Sequence, residues 1–579
     1  MMKKTLVFLL VCTMMISMTA CGSSKKETAS TSENGNTFIG EAEGKNGKIK
    51  VEVTIEDNEI KDIKVIENHE SEFTKEVFTK VIDTVMAQNS AEIDAISGAT
   101  LTSDAVIAAV ADAVAKSGAT LEKKDVKDTE EAVKDVETDV VVIGAGGAGL
   151  TASIEAKENG ANVILIEKNA VVGGNTNFAT GGLNAAGTKF QEENGIEDSV
   201  ELFYEDTMKG GKNINNPELV KVLTSNSANT VVWLTERGAD LTDVGRMGGA
   251  SVNRTHRPTG GAGVGAHLVE VLDKKAREVG VEIRVETKAT EILTTENKVT
   301  GIKVTDAKGN EYTITAKAVI VATGGFGANP ELVVKFKPEL EGFGTTNGPG
   351  ATGDALSLVE PLDVALVDIT EIQTHPTVVP EKNKMITEAV RGNGAILVNR
   401  EAKRFINELE TRDVVSAAEL EQEGQTAFLV FDQNVRESLK AIEKYAKLGL
   451  LTEANTLEEL AEKMNLDKAE LTNTVNTYNT YVKSEDDKDF SRPNMKTELN
   501  KAPYYAVEVG PAVHHTMGGL KINTDAQVIT NNDEVIEGLF AAGEVTGGVH
   551  GANRLGGNAL ADITTFGRIA GKNASEMAK

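Results

Sequence analysis

Apolar and polar residues alternate through KIKVEVTIEDNEIKDIKVIEN, residues 48–68, around an acidic interruption. That period of two, broken by a short polar turn, predicts a β-hairpin. Helical spacing of apolar positions follows at about Phe73–Met86 and Asp104–Ala115. LEKKDVKDTEEAVKDVETD (residues 121–139) comes next, charged and without an aromatic residue, and reads as a linker or an exposed helix. From Asp139 to the C-terminus, short apolar strands end on glycine turns and alternate with helical stretches, the texture of an α/β fold. One region inside this stretch, roughly Asp368 to Arg492, has helical patterning and few glycine-rich loops, as a domain inserted into a larger one would.

The chain has 579 residues, 40% hydrophobic and 26% charged, so it is globular and long enough for several domains. Its 60 basic and 88 acidic residues give a formal charge of −28. Nucleic acid and anionic lipid are therefore poor partners, because a polyanion is repelled before it docks. A small anionic substrate is still admissible if a few cations are concentrated in one site. At the N-terminus, Lys3 and Lys4 precede an apolar run from Leu6 to about Met18, too short for a comfortable membrane span. Met18-Thr19-Ala20-Cys21 resembles a bacterial lipoprotein box, with Cys21 as the lipidation site and a polar tether behind it. The alternative is an ordinary signal peptide. Cys12 lies in the segment that either signal removes, so no disulfide framework, zinc cluster or C-x-x-C-H haem motif is available.

The most specific local pattern is TDVVVIGAGGAGLTASIEAKENGANVILIEKNAVVGGNT. A buried strand at Val140–Ile143 runs into Gly144-x-Gly146-x-x-Gly149, a helix follows, and a second strand, Val163–Ile166, ends at Glu167. Gly144 permits the tight turn, Gly146 lets backbone amides approach a pyrophosphate, and Gly149 lets helix and sheet pack closely. The helix N-terminus faces the phosphates and Glu167 accepts ribose hydroxyls, so an adenine dinucleotide is expected here. FAD is preferred to NAD because three further glycine-bearing segments accompany the fingerprint: GGNTNFATGG (Gly173–Gly182), VIVATGGFG (Val319–Gly327) and GLFAAGEVTGGVHGANRLGGNALAD, which holds Glu544.

PAVHHTMGG (Pro511–Gly519), HGANRLGGNA and TEAVRGNGAILVNREAKRFINELETRD together resemble soluble fumarate reductases of the flavocytochrome c kind, within the fumarate reductase/succinate dehydrogenase flavoprotein family. The resemblance spans roughly Asp139 to the C-terminus. His375, Thr387, His514 and Arg554 supply two imidazoles, a hydroxyl and a guanidinium suited to two carboxylates. The resemblance implies that these four bind substrate, with Glu388 beside them and backbone amides such as that of Gly557 assisting. It also implies Arg412 as proton donor, which solution acidity alone would not suggest, with Glu388 and Arg391 as the relay behind it. Read without the family, Glu388 and Arg391 are a surface ion pair, and Arg404 is a structural residue. Non-covalent FAD is implied at Gly144, Gly146, Ala148, Gly149, Glu167, Asn175, Thr176, Gly181, Gly182, Ala289, Asp354, His515, Glu544, Ala559 and Leu560. No metal is expected.

SGATL occurs twice, at Ser97–Leu101 and Ser117–Leu121. The first copy, in DAISGATLTSDAV, resembles the site of FMN-binding domains in which a flavin transferase esterifies FMN phosphate onto a threonine, which would be Thr100. An N-cap motif is the local alternative. The second copy lacks the preceding acid and the following hydroxyls, and its glycine reads as a helix end. The expected order is a lipoprotein signal peptide (1–20), a tether (21–37), a small α+β FMN-binding domain (38–121) and a linker (122–137). A Rossmann-like FAD-binding domain follows in two parts (138–367 and 498–579) around an inserted α+β clamp, or capping, domain (368–497). The resulting expectation is an exported, membrane-anchored fumarate reductase taking electrons from a quinol or an extracellular electron-transfer system. The alternatives are a reductase of urocanate or another 2-enoate, and a non-catalytic flavin relay lipoprotein.

Overall fold

The computed structural model describes residues 36–44, 47–70, 74–96, 100–125 and 134–579. Cys21 and Ser97–Ala99 lie outside the described residues, as do residues 126–133 of the charged stretch. The alternating segment forms antiparallel strands Lys48–Glu56 and Glu59–Glu67, flanked by Thr37–Glu43. Asp57 and Asn58 turn the hairpin at φ 53° and 61°, a region that Asp and Asn tolerate better than most side chains. Helices Lys75–Gln88 and Thr100–Ser117 cover one face and bury Ile49, Val51, Val53, Val81, Val106 and Val110. The second helix begins four residues before the expected Asp104. Its start is fixed from inside: Thr102 Oγ1 donates to Glu70 Oε2 at 2.6 Å, and Ile96 N donates to Ser103 Oγ at 3.0 Å. Val171 joins this core from the next domain, and Lys80 pairs with Glu286 at 2.7 Å.

Strand Val136–Ile143 lies at the centre of an eight-stranded sheet, parallel to Val163–Ile166 on one side and Glu311–Val321 on the other, with Val535–Ala541 parallel beyond the latter. Its core residues Val140, Val141 and Val142 are fully buried, which explains a run of apolar residues in place of alternation. Helices Gly147–Glu158 and Asn558–Ala578 pack together on this sheet. A second core surrounds the strands Ile396–Val398 and Ala427–Asp432 of the insert. Strand Tyr504–Thr516 lies past the boundary drawn at 497 yet belongs to the same sheet. Its first half pairs with Ala427–Asp432 and its second half with Ile372–Val379. One strand therefore runs out of the insert's core and carries His514 and His515 close to its end. Among the described residues no helix is long and apolar enough to cross a membrane.

Candidate active site

A groove runs along the C-terminal edge of the central sheet. Gly144, Gly146, Ala148, Glu167, Asn175, Thr176, Ala289, Asp354 and Glu544 all line it, as do Gly324 and Ile563. Gly144 has φ +102°, and a Cβ there would meet Ala322 O at 2.5 Å. At Gly149 a Cβ would lie 1.8 Å from Gly144 O, so this glycine is the contact between helix and turn. At Gly146 a Cβ meets nothing closer than 3.9 Å and would occupy groove space, as a cradle for a pyrophosphate requires. Thr323 Oγ1 is buried in the groove wall without a protein partner. Burial pushes the Glu167 carboxyl up, and its oxygens accept from Ala145 N and Asn169 N at 3.0 and 2.9 Å. Asn175 accepts from Gly348 N, Thr176 Oγ1 accepts from Gly147 N, and Asp354 pairs with Lys168 at 2.9 Å. These features fit FAD. Gly181 and Gly182 lie apart from the groove lining, Gly182 packed against Thr255–Arg257. Ala559 and Leu560 form the first turn of the C-terminal helix behind its N-cap, Gly557, at φ +92°.

Beyond the Glu544 end of this groove lies a polar cluster buried between the insert and the main domain. Arg412 is the first residue of helix Arg412–Leu420. Its Nε donates to Glu388 Oε2 at 2.7 Å and its NH1 donates to Gln373 Oε1 at 3.1 Å. Arg554 NH2 donates to that same Gln373 oxygen at 3.2 Å. Gln373 in turn donates to Asn553 Oδ1 at 2.6 Å and Arg554 O at 2.8 Å, tying insert to main domain. Two guanidiniums thus converge on one neutral acceptor. His375 and His514 stand edge to face beside them at 5.0 Å, with His375 Nε2 and Arg554 Nε buried and unpartnered. Thr387 is buried next to Glu388, and its N–H donates to the Tyr445 hydroxyl at 2.9 Å.

Electrostatics sort these groups. Burial, then the charge of Arg412, pushes His375 and His514 well below the ordinary histidine value, so both are neutral imidazoles. Burial and the neighbouring Arg412 pull Arg554 down to about 9, still a cation at neutral pH. Burial pushes Glu388 up, but Arg412 and Arg391 outweigh it, so the net direction is down and Glu388 is an anion. Its other oxygen accepts from Gly248 N at 2.6 Å, a backbone bond from the main domain. Arg391 is wholly buried and donates to Glu408 O at 2.5 Å, so with Glu388 it is no surface pair. Arg404 has the structural role expected of it, held at 2.8 Å by both Glu408 and Asp487. His515 lies near Glu544 at 3.5 Å and edge to face with His550, which is itself 3.2 Å from Asp562.

The sequence reading did not single out Gln373, Gly248, Tyr445 or His550. Gln373 lies two residues before His375 and His550 opens HGANRLGGNA, and that adjacency was the available signal. Gly248 and Tyr445 carry none. In the N-terminal domain, Thr100 is the first residue of its helix. The hydroxyls of Thr102 and Ser103 are committed to the fold by the contacts with Glu70 and Ile96.

The FAD binding domain family matches residues 139–560, and the FMN-binding domain family matches residues 44–115. A fumarate reductase (cytochrome) from Shewanella frigidimarina is 55% identical over 442 residues, covering 76% of this chain and 77% of that protein. A urocanate reductase from Eggerthella lenta is 36% identical, covering 96% of this chain and 95% of its own. The open conformation of a flavocytochrome c3 fumarate reductase superposes with a TM-score of 0.65 at 44% identity, covering 80% of this chain and 84% of that one. The chain is an FAD-dependent oxidoreductase of the fumarate reductase/succinate dehydrogenase flavoprotein family, with an FMN-binding domain ahead of its FAD-binding domain.

Proposed function

We propose that the chain is an exported, lipid-anchored fumarate reductase that produces succinate. The observation that carries this is Gln373 Oε1 between Arg412 NH1 and Arg554 NH2. Two cations directed at one uncharged oxygen, with neutral imidazoles of His375 and His514 beside them, suit a small dicarboxylate better than a monoanion. One carboxylate is taken by Arg554 and Arg412, and the other by His375, His514 and Thr387. The amides at the Gly556–Gly557 turn assist. Binding at the seam between insert and main domain excludes water as the insert closes.

Reduced FAD supplies hydride to one alkene carbon. Arg412 gives the other carbon its proton, and Glu388 with Arg391 restores it. Glu388 suits that role because its anionic carboxylate already accepts from Arg412 Nε. FMN esterified to Thr100 by a flavin transferase supplies the electron relay from a membrane-linked donor such as a quinol, or from an extracellular electron-transfer system. The N-terminal Lys-Lys-apolar-Cys21 pattern supports export and anchoring.

A second reading, urocanate reduction, is favoured by the relative of that activity, which spans nearly the whole chain. Oxidation of reduced viologen by fumarate, urocanate and monocarboxylate enoates separates the readings. Fumarate is expected to give the highest kcat/KM. Preference for urocanate overturns the substrate, and no turnover with any enoate leaves a flavin relay.

A further inference from the structure

Arg391 is fully buried, so a relay that ends there has no contact with solvent. One group beside it is unused by the mechanism above. Glu419 is also fully buried, and both of its carboxylate oxygens lack a hydrogen-bond partner. It stands seven residues after Arg412, two turns along the same helix, Arg412–Leu420. Ser416, one turn before it, is buried with an unpartnered Oγ. Arg391 presents Nε and NH2, likewise buried and unpartnered. The charge of Arg391 acts on Glu419 against the effect of burial, while Glu388, Glu419, Arg412 and Glu408 all act on Arg391. Burying this many polar atoms is costly unless they serve one another, directly or through ordered water.

We propose that Glu419 is the carboxylic acid that returns the proton to Arg391, a fourth member of the relay placed on the same helix as the first. The proposal rests on Arg412 being the donor. In each turnover the proton of the new C–H bond leaves Arg412, Arg412 is restored through Glu388, and Glu388 through Arg391. The O–H bond of Glu419 then breaks and an N–H bond forms on Arg391 by way of a bridging water molecule, which gives one proton as it takes another, and the Glu419 carboxylate takes a proton from solvent. No electrons move along this path. In solution a carboxylic acid is a stronger acid than a guanidinium, which is the direction this transfer needs. Glu421, two residues on at the end of the helix, is exposed, so solvent is near. The other route for water, a cavity of about 230 Å³ between residues 246–251 and Asn407, Leu409 and Glu410, reaches Gly248 and Gly392 but is lined by none of the four relay side chains.

The test uses the holoenzyme with both flavins, comparing Glu419→Gln, Glu419→Asp and Arg412→Ala. Glu419→Gln is expected to lower kcat for fumarate by about tenfold or more, with KM within about twofold and a larger solvent deuterium isotope effect. Glu419→Asp, which keeps an acid, should recover part of the loss. Independently of turnover, infrared spectra of the native enzyme at neutral pH should show a protonated-carboxyl stretch that vanishes in Glu419→Gln and shifts in Glu419→Asp. That readout stands even where one variant loses stability. Native kcat and isotope effect in Glu419→Gln, with Arg412→Ala inactive, overturns this proposal and leaves Arg412 as donor. Retained turnover in Arg412→Ala overturns both. Absence of the carboxyl band overturns the proposal alone.

Discussion

Arg412 Nε donates to Glu388 Oε2 at 2.7 Å, and Glu388 is held from its other side by Gly248 N at 2.6 Å. The carboxylate is fixed by one residue of the insert and one of the main domain, so this arrangement is complete only when the two halves meet. A Cβ at Gly556 would come within 3.1 Å of Glu388 Oε2 and 3.2 Å of Arg412 NH2, which shows how closely the glycine turn is packed on this pair.

With Arg412 as donor, Arg412→Ala should lower kcat by about 10²–10⁴-fold, the usual contribution of a positioned acid. Arg554, His375 and His514 remain when one of the two guanidiniums is lost, so fumarate binding should weaken but by less than kcat falls. Steady-state viologen oxidation gives kcat, and protection of the protein by fumarate against thermal unfolding reports binding. Equal losses in both would make Arg412 a binding residue only.

Gly146 and Gly149 should separate cofactor binding from folding. Gly146 has φ −71°, which alanine adopts freely, and a Cβ there would point into open groove. Gly146→Ala should fold normally and lose FAD, seen as native circular dichroism with a colourless FAD site. Gly149→Ala drives a Cβ into Gly144 O and should fail to fold. Normal FAD content in Gly146→Ala would remove the pyrophosphate from that turn.

Thr100 and Thr120 occupy the same place in the two SGATL copies. Ser117 ends the helix begun at Thr100, Gly118 follows at φ +70°, and Ala119 N donates to Ser117 Oγ at 3.0 Å, so the second copy is a helix terminus. Thr100→Ala should remove the mass of one FMN and the flavin fluorescence that survives denaturation, while Thr120→Ala keeps both. Covalent FMN retained in Thr100→Ala would refute the attachment site.

The glycine fingerprint, the flanking strands and Glu167 were legible because each is a local demand on a short stretch of backbone. His375, Arg412, His514 and Arg554 were legible through motifs. Gly248 was not, because it meets Glu388 across 140 residues through an amide that every residue but proline possesses. Gln373 escaped because its value lies in where two distant arginines point. The strand Tyr504–Thr516, past the boundary drawn at 497, was not legible for the same reason: its 13 residues pair with the insert's strands along most of their length and bring His514 beside His375. Pairing partners are long-range facts.

Glu408 should matter for the stability of the insert and not for chemistry directly. It is fully buried, takes Arg404 at 2.8 Å and Arg492 at 2.9 Å, and Arg492 NH2 holds the Arg391 carbonyl at 2.7 Å. Glu408→Ala leaves the buried Arg492 guanidinium without a carboxylate and Arg404 with Asp487 alone, and should cost about 3–5 kcal/mol in urea unfolding. A loss below about 1 kcal/mol, the range of exposed pairs, would contradict this.

The pH dependence should be one-sided. His375 and His514 are held well below the ordinary histidine value, so both stay neutral as pH falls through about 6.5 and no histidine limb should appear there. Arg554, pulled down to about 9, is charged below that pH and loses its proton above it. Since kcat/KM reports the free enzyme, it should fall as pH rises through about 9. A bound dianion stabilises the cation, so the same limb in kcat should move to higher pH. Rate profiles with fumarate measure both. A limb near the histidine value in kcat/KM would mean that an imidazole carries charge to the substrate, and the two-arginine account of dicarboxylate binding would fail.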